Sequence, residues 1–129
     1  MKVFISSTQK DWDLAKDLAR RLHNIGLQVL AEEETERPGK GGSTINRGLR
    51  HLRMSDEVIL LLTEEASANE KIIFEIGAAL SLQKKITPII VGVDKEKLPP
   101  LLKNLNYIKY AEVEDYLSKR KKEMETTAD

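Results

Sequence analysis

The sequence predicts a doubly wound α/β fold, with five parallel strands in the order 2-1-3-4-5 and helices on both faces of the sheet. Three observations lead to this prediction. Short β-rich segments alternate with helical patterns along the chain. The central β-rich segments, 57–63 and 86–92, are continuously apolar, as expected of strands that helices cover on both faces. A chain of 129 residues is long enough for one such domain and not for two.

Five short strands are predicted from the β-rich segments. They are residues 2–6, 27–31, 57–63, 86–92 and 107–110. The segment 98–102 (LPPLL) precedes the last strand, and we predict a loop or a single turn there. The reason is that Pro100 restricts the backbone of Pro99, and neither residue can donate a backbone hydrogen bond.

The first helix has the clearest pattern. Its apolar residues recur at intervals of three and four, at Ala15, Leu18, Leu22 and Ile25. Thr8 and Asp11 form a possible capping pair before it, and Gly26 is a typical stop signal after it.

Three further helices are predicted along the chain. The second begins at Ser43 or Thr44 and buries Ile45, Leu49 and Leu52. The third includes residues 69–80, and the last begins near Val113. We therefore predict a single domain over residues 1–122, followed by a polar tail, 123–129, that frays.

Composition and charge exclude several classes of function. The 21 basic and 21 acidic residues cancel, so the chain lacks the basic footprint of a nucleic-acid binder, and the basic run 119–122 is expected to be a solvated helix face. His23 and His51 lack the spacing of a metal site. The absence of cysteine is compatible with a reducing cytosol, and no segment has the pattern of a signal peptide or a membrane span. We expect a cytoplasmic protein with no membrane or nucleic-acid partner.

The predicted strand order identifies one preferred ligand crevice. In this topology ligands bind beyond the carboxyl ends of strands 1 and 3, where the winding reverses. Ser6, Ser7 and Thr8 follow strand 1, and residues 63–69 follow strand 3 and lead into the helix of Glu75. Hydroxyl groups and a carboxylate are therefore expected to converge there. The alternative is that these Ser and Thr side chains only cap helices.

Glu75 interrupts the most apolar helical stretch of the chain, NEKIIFEIGAAL. At about 100° per residue, one arc of this helix contains Ile72, Ile73, Ile76, Ala79 and Leu80. Glu75 lies roughly a quarter-turn from the centre of that arc, so we expect it to border the core. It is either a boundary residue paired with Lys71, four positions earlier, or a functional carboxylate.

The segment after strand 2, residues 32–44, is rich in glycine and ends at a predicted helix start. Its glycines and Lys40 could cradle a phosphate through backbone N–H groups. It does not match a P-loop, and no Gly-x-Gly-x-x-Gly follows strand 1. The alternative is a long surface loop, a kind of segment that often binds or assembles.

Taken in order, these segments resemble a known family. KVFISST before a helix, Arg37-Pro38-Gly39, EVILLLTEEAS, FEIGAALSLQKKITPIIVG and LPPLL are similar to a prokaryotic Toll/interleukin-1 receptor (TIR) domain. The resemblance extends over approximately residues 2–110. It implies a flavodoxin-like sheet, and self-association through Arg37, Pro38 and Gly39.

The resemblance also implies an activity. Enzymatic members cleave NAD⁺ at the nicotinamide–ribose bond with a glutamate that corresponds by position to Glu75. NAD⁺ is then a substrate, and no cofactor or metal is expected. Ser6, Ser7 and Thr8 are expected to hold the substrate, and Lys40 or Lys71 to meet its phosphates. The implied role is assembly-dependent, in antiphage or stress signalling.

The chemistry of the bond independently favours a carboxylate. Nicotinamide leaves as a neutral molecule, so its departure needs little protonation. The oxocarbenium-like ribose needs stabilisation, which a nearby carboxylate provides through its charge and through hydrogen bonds to ribose hydroxyls.

Two positions depart from the family pattern. Family members commonly carry an aromatic residue where this chain has Ser7, and active enzymes often carry Trp where it has Lys71. Trp12 is expected either to take the place of these aromatic side chains in space or to pack in the core.

Phe74 should point away from the core, where it offers a second surface for assembly. Two alternatives to NAD⁺ cleavage therefore stay open, a non-catalytic TIR interaction module and an enzyme acting on another nucleotide or nucleoside.

Overall fold

The sheet has the predicted architecture. The computed structural model describes residues 1–31, 44–98, 100–102 and 105–127. Its strands are β1 Lys2–Ser6, β2 Gln28–Ala31, β3 Glu57–Leu62, β4 Lys85–Ile90 and β5 Ile108–Lys109. They form one sheet in the order β2-β1-β3-β4-β5, and every neighbouring pair is parallel. The predicted flavodoxin-like fold class and strand order are confirmed.

Five α-helices surround the sheet in the part of the chain that the structure describes. They are α1 Trp12–Asn24, α2 Thr44–Met54, α3 Glu64–Ser67, α4 Glu70–Ser81 and α5 Val113–Thr127. The helix that contains Glu75 is therefore the fourth and not the third, because the short α3 precedes it. The tail that we predicted to fray from residue 123 is helical as far as Thr127.

The ends of α1 follow from its flanking residues. A 3-10 turn at Gln9–Asp11 leads into α1. The helix ends at Asn24, and Gly26 follows shortly after it. The backbone of Gly26 has φ +101°, a conformation that glycine adopts without the steric cost of a Cβ. A Cβ there would also meet the side chain of Met124 at 3.4 Å. Glycine therefore ends α1 and lets α5 pack close to the turn.

Two apolar cores lie on opposite faces of the sheet. All six residues of β3 are buried, and its side chains alternate between the cores. One core joins β3 to α2 and α4 through Leu52, Ile72 and Ile76. The other joins it to α1 and α5, where the contributing side chains include Leu18, Leu22 and Leu117. Burial on both faces explains why the β3 sequence is apolar without alternation.

The buried face of α4 is narrower than predicted. Ile72, Ile76 and Ala79 are buried as expected, but Ile73 and Leu80 are 38% and 40% exposed. The predicted arc was wrong at those two positions. Apolar residues occur on nearly every side of this helix, so the periodicity alone could not identify the buried side.

The described part of the segment LPPLL contains the predicted single turn. A 3-10 turn spans Pro100–Leu102, and the side chains of Leu98 and Leu102 are buried in the core beneath α4. The turn thus forms a short connection next to which Leu98 and Leu102 are part of that core.

A buried ion pair joins the amino end of the sheet to α5. Glu57 is the first residue of β3, and its Oε1 lies 2.5 Å from Nη2 of Arg120. Thr87 donates a hydrogen bond of 2.8 Å to Oε2 of Glu57, and the Tyr116 hydroxyl donates one of 3.3 Å. Arg120 is 5% exposed, so the prediction that the whole run 119–122 is solvated was wrong. Its partner is distant in sequence, and no local pattern indicates the pair.

The electrostatic balance at this cluster follows from its geometry. Burial by itself would raise the pKa of Glu57, but the bonds from Arg120 and Thr87 outweigh it and hold that pKa below its ordinary value. Burial and the nearby Glu57 charge raise the pKa of Tyr116. Glu57 is therefore ionised and Tyr116 neutral near neutral pH.

Breaking one side of this pair should destabilise the domain. Arg120→Met is expected to lower the free energy of unfolding by about 3 kcal/mol, because it leaves a buried carboxylate without its cation. The measurement is urea unfolding at neutral pH, with the exposed Lys119→Met as control. Adding Glu57→Met to Arg120→Met should recover part of the loss. Strictly additive losses would contradict a direct coupling.

Acid should weaken the same contact. Because the pKa of Glu57 is lowered in the folded state, its stabilising contribution is fully present above its ordinary value of 4.5. It is lost as the pH falls through the lower, folded value. Glu57→Gln is expected to be less stable at neutral pH but to lose less further stability than wild type between about pH 6 and pH 3. Urea unfolding across that range tests this, with the exposed Glu64→Gln as control; equal acid dependence in wild type and Glu57→Gln would refute it.

Candidate active site

The candidate site lies at the carboxyl ends of β1 and β3. Ser6 ends β1, and Thr63 follows β3. The Thr63 side chain caps α3 by accepting a hydrogen bond from the Ala66 backbone N–H. Asn69 caps α4 in the same way, accepting from Ile72 at 3.1 Å. These caps fix where α4 begins, and so place Glu75 in the second turn of α4, facing the end of β1.

Glu75 is buried inside the site and not at its rim. Its side chain is 0% exposed, and its Oε1 accepts a hydrogen bond of 2.6 Å from the Ser6 hydroxyl. The Nζ of Lys71 lies 3.9 Å from the same oxygen. The prediction that Glu75 only borders the core was therefore wrong. The end of β1 and the preceding turn of α4 cover the carboxylate, which helical geometry alone could not show.

Lys71 connects α4 to the loop after β1. Besides its ion pair with Glu75, its Nζ donates a hydrogen bond of 3.3 Å to the backbone carbonyl of Ser7. The side chain is 19% exposed, so the ammonium is largely enclosed. The expected pairing between Lys71 and Glu75 is thus present, as part of a contact between two elements.

The hydroxyl residue that ends β1 and the two that follow it have different surroundings. The Ser6 hydroxyl donates its hydrogen bond to Glu75, whereas the Thr8 hydroxyl donates a hydrogen bond of 2.6 Å to Asp11. Ser7 contributes its backbone carbonyl to Lys71. The structure therefore brings Ser6, Ser7 and Lys71 to Glu75, while the side chain of Thr8 is turned to a neighbouring contact.

Asp11 and Thr63 belong to this region and were missed as a pair. The Thr63 hydroxyl donates a hydrogen bond of 2.7 Å to Oδ2 of Asp11, the atom that also accepts from Thr8. Beside it, an exposed ion pair of 2.7 Å joins Lys10 to Glu65. The signal was available in principle, because both segments follow strands that end at the same edge of the sheet.

The other residues singled out from the sequence are exposed, packed against a core or outside the described residues. Phe74 is 42% exposed, as predicted, next to the partly exposed Ile73. The loop residues predicted for assembly and phosphate binding lie outside the described residues; they are Arg37, Pro38, Gly39 and Lys40. Trp12 packs against the core between the sheet and helices α1 and α5. Of its two predicted roles, the structure shows core packing.

The described residues give no indication of a metal site or a membrane span. No group of three or more His, Asp or Glu side chains among them is arranged to hold a metal ion. None of the helices in the described ranges combines the length and hydropathy needed to cross a bilayer. The arrangement around Glu75 is thus a carboxylate with hydroxyl and ammonium neighbours, which can stabilise a developing positive charge if a substrate reaches it.

Comparison with known proteins identifies the fold family. The family model described as "TIR domain" matches residues 3–124. No curated protein sequence matches the chain. A solved TIR domain of the Toll-related receptor TRR-2 from Hydra magnipapillata superposes with a TM-score of 0.75 at 16% identity, covering 93% of this chain and 97% of that one.

Two further solved structures share the fold. A TIR-STING receptor from C. gigas matches with a TM-score of 0.72 at 23% identity; the match covers 90% of this chain but only 38% of that receptor. The CMP N-glycosidase BcmB from Clostridium botulinum matches with a TM-score of 0.66 at 21% identity, covering 93% and 97% of the two chains. These likenesses show a common fold, and the family model extends over nearly the whole sequence. The chain belongs to the TIR-domain family.

Proposed function

We propose that this domain cleaves the nicotinamide–ribose bond of NAD⁺, with Glu75 as the catalytic carboxylate. The observation that carries the proposal is the Ser6–Glu75 hydrogen bond of 2.6 Å at the carboxyl edge of the sheet. A carboxylate buried in an apolar helix is costly, and its position coincides with the crevice where ligands bind in this topology. Functional sites are where such arrangements concentrate.

The proposed reaction is a substitution at the anomeric carbon of the ribose. The C–N bond breaks, and its electron pair leaves with the nicotinamide nitrogen. Water then forms a bond to the anomeric carbon and releases a proton, giving ADP-ribose; attack by an adenine nitrogen in place of water gives a cyclic product. Glu75 would stabilise the positive charge on the ribose between these steps. The hydrogen bond from Ser6 would keep the Glu75 carboxylate directed at the ribose.

Substrate access requires a local rearrangement, because Glu75 is covered in this structure. Lys71 is a candidate for this movement, because its Nζ lies 3.9 Å from Oε1 of Glu75 and its side chain is 19% exposed. A phosphate of the substrate is a stronger partner for this ammonium than the Ser7 carbonyl. We propose that Lys71 moves to the substrate phosphates on binding, with Lys40 as a second candidate.

The comparisons support the reaction class at the level of fold. BcmB is named as a CMP N-glycosidase, and its chain has nearly the same extent as this one. Both that reaction and NAD⁺ cleavage break the bond between a sugar carbon and a base nitrogen. An enzyme acting on another nucleotide or nucleoside is therefore the nearest alternative. We further propose a cytoplasmic signalling role, in an antiphage or stress response.

A second candidate function is a non-catalytic interaction module. The exposed apolar pair on α4 favours it, because Phe74 and Ile73 are 42% and 38% exposed and adjacent in sequence. An exposed aromatic residue beside a second apolar one is a common feature of protein interfaces. Self-association through this pair and the loop of Arg37, Pro38 and Gly39 is also compatible with catalysis, as a condition for it.

Glu75→Gln should strongly reduce NAD⁺ cleavage. The amide keeps the shape of the side chain but lacks the charge that stabilises the ribose cation, so we expect nicotinamide release to fall by about 100-fold or more. The measurement is chromatographic quantification of nicotinamide from concentrated protein. Glu70→Gln is the matched control, because Glu70 is an exposed carboxylate on the same helix.

Three outcomes separate the candidates. Equal nicotinamide release by wild type and Glu75→Gln would contradict the catalytic assignment. Cleavage of CMP or a nucleoside with NAD⁺ untouched would favour the related enzyme class. No cleavage by wild type, together with concentration-dependent association that Phe74→Ser removes, would favour the interaction module.

Ser6→Ala should impair both stability and turnover. It removes the hydroxyl that donates to a fully buried carboxylate, so we expect the free energy of unfolding to fall by about 2 kcal/mol. Ser7→Ala is the matched control, because the contact of Ser7 with Lys71 uses its backbone carbonyl. Urea unfolding and nicotinamide release measure the two effects. Equal stability of the two variants would contradict the importance of the Ser6–Glu75 bond.

A further inference from the structure

A second carboxylate, that of Asp11, ties together the two segments that frame the Glu75 site. Its Oδ2 accepts hydrogen bonds of 2.6 Å from Thr8 and 2.7 Å from Thr63. Thr8 belongs to the loop after β1, and Thr63 directly follows β3. We call this arrangement of Thr8, Asp11 and Thr63 the Asp11 clasp. It crosses the same edge of the sheet as the Ser6–Glu75 bond.

Both donors of the clasp are held in place by other contacts. The Thr63 oxygen accepts the Ala66 backbone N–H at 3.2 Å, which leaves its own proton to be directed at Asp11. The Thr8 backbone carbonyl accepts from the Asp11 N–H at 3.1 Å, and the residue is 7% exposed. Hydrogen bonds to an ionised acceptor are stronger than neutral ones. The clasp is therefore a defined contact between the two segments.

The carboxylate of Asp11 is not used to cap the helix that it precedes. Asp11 occupies the N-cap position of α1, yet its side chain makes no capping hydrogen bond there. Such a residue ordinarily bonds a free N–H of the first turn. Both hydroxyl bonds of Asp11 instead fix the loop after β1, which indicates a role in the position of that loop.

The clasp lies only two residues from the contacts of Glu75. Ser6 donates to Glu75, Ser7 accepts from Lys71, and Thr8 donates to Asp11. Consecutive Cα atoms are about 3.8 Å apart, so a shift of Thr8 is transmitted to Ser6 and Ser7 within a short and nearly inextensible segment. A displacement of about 1 Å at a catalytic group is enough to reduce a rate about 100-fold.

We propose that Asp11 is a positioning residue for the Glu75 site, acting through Thr8 and Thr63 to set where Ser6 and Ser7 meet Glu75 and Lys71. This inference rests on the proposed function for its kinetic consequence. Its structural consequence, a fixed loop after β1, is independent of any activity. Loss of the clasp should leave substrate binding largely intact and misplace the carboxylate during the chemical step.

The test compares Asp11→Ala, Asp11→Asn and Lys10→Ala. Asn keeps an oxygen that accepts hydroxyl bonds, whereas Ala removes both. Lys10→Ala breaks the exposed ion pair with Glu65, which joins the same two segments at 2.7 Å with side chains 77% and 51% exposed. It is the matched control, because exposed pairs contribute little. Thr8→Val, which removes one donor, is a second way to open the clasp if Asp11→Ala does not fold.

Kinetics and hydrogen exchange give the two readouts. For nicotinamide release we expect Asp11→Ala to lower kcat by about 10-fold or more while KM changes by less than about 3-fold. Asp11→Asn should recover most of kcat, and Lys10→Ala should match wild type. In hydrogen exchange, the peptide spanning residues 6–11 should exchange faster in Asp11→Ala or Thr8→Val and at the wild-type rate in Lys10→Ala.

The outcomes separate this proposal from the proposed function. If Glu75→Gln is inactive while Asp11→Ala retains wild-type kcat, the positioning role is overturned and the catalytic one stands. Equal impairment of Asp11→Asn and Asp11→Ala would also overturn it. If wild type does not cleave NAD⁺, the proposed function fails. The hydrogen-exchange data alone then test whether Asp11 fixes the loop after β1. Unchanged exchange of residues 6–11 in Asp11→Ala then refutes the clasp, and faster exchange supports it.

Discussion

The hydrogen bond from Ser6 to Glu75 is the contact on which the rest of the site depends. It joins the last residue of β1 to the second turn of α4, across 69 positions of sequence. Burying a carboxylate among apolar side chains is tolerated only when donors surround it. The need to keep Ser6 and Lys71 on Glu75 therefore fixes α4 against the end of β1. Because Ser6 ends β1, the loop after β1 begins at a fixed position beside Glu75.

Two buried carboxylates at opposite edges of the sheet illustrate different uses of the same chemistry. Glu57, at the amino edge, has a guanidinium, a phenol and a threonine hydroxyl as partners, and Arg120 belongs to a helix that packs over it. That arrangement fastens α5 to the sheet. Glu75 lies at the carboxyl edge, where ligands bind in doubly wound folds, and the ammonium beside it is on a long and adaptable side chain. Position and partners together distinguish the structural carboxylate from the candidate catalytic one.

The success of the sequence-based predictions depended on whether the signal was local. Apolar runs located all five strands to within two residues, and strand order followed from their alternation with helices. Contacts between segments distant in sequence were not predicted. Arg120 was predicted to belong to a solvated basic run, because its partner Glu57 lies 63 residues away. Asp11 was predicted only to cap a helix with Thr8, because its second donor, Thr63, is also distant in sequence. Glu75 was located correctly on its helix, but the depth of its burial depends on its contact with the end of β1, which no helical pattern contains.

The two outer strands of the sheet, β2 and β5, influence how this domain can associate at high concentration. In the described part of the chain, β2 has four residues and β5 has two, so the outer strands offer few unpaired backbone groups to a neighbouring molecule. Long, flat outer strands are the usual templates for fibre-like stacking, and short ones resist it. The described sheet therefore provides little template for amyloid-type growth. Side-chain surfaces, such as the exposed Ile73 and Phe74 on α4, are therefore more suitable places for ordered contacts than the strand backbone.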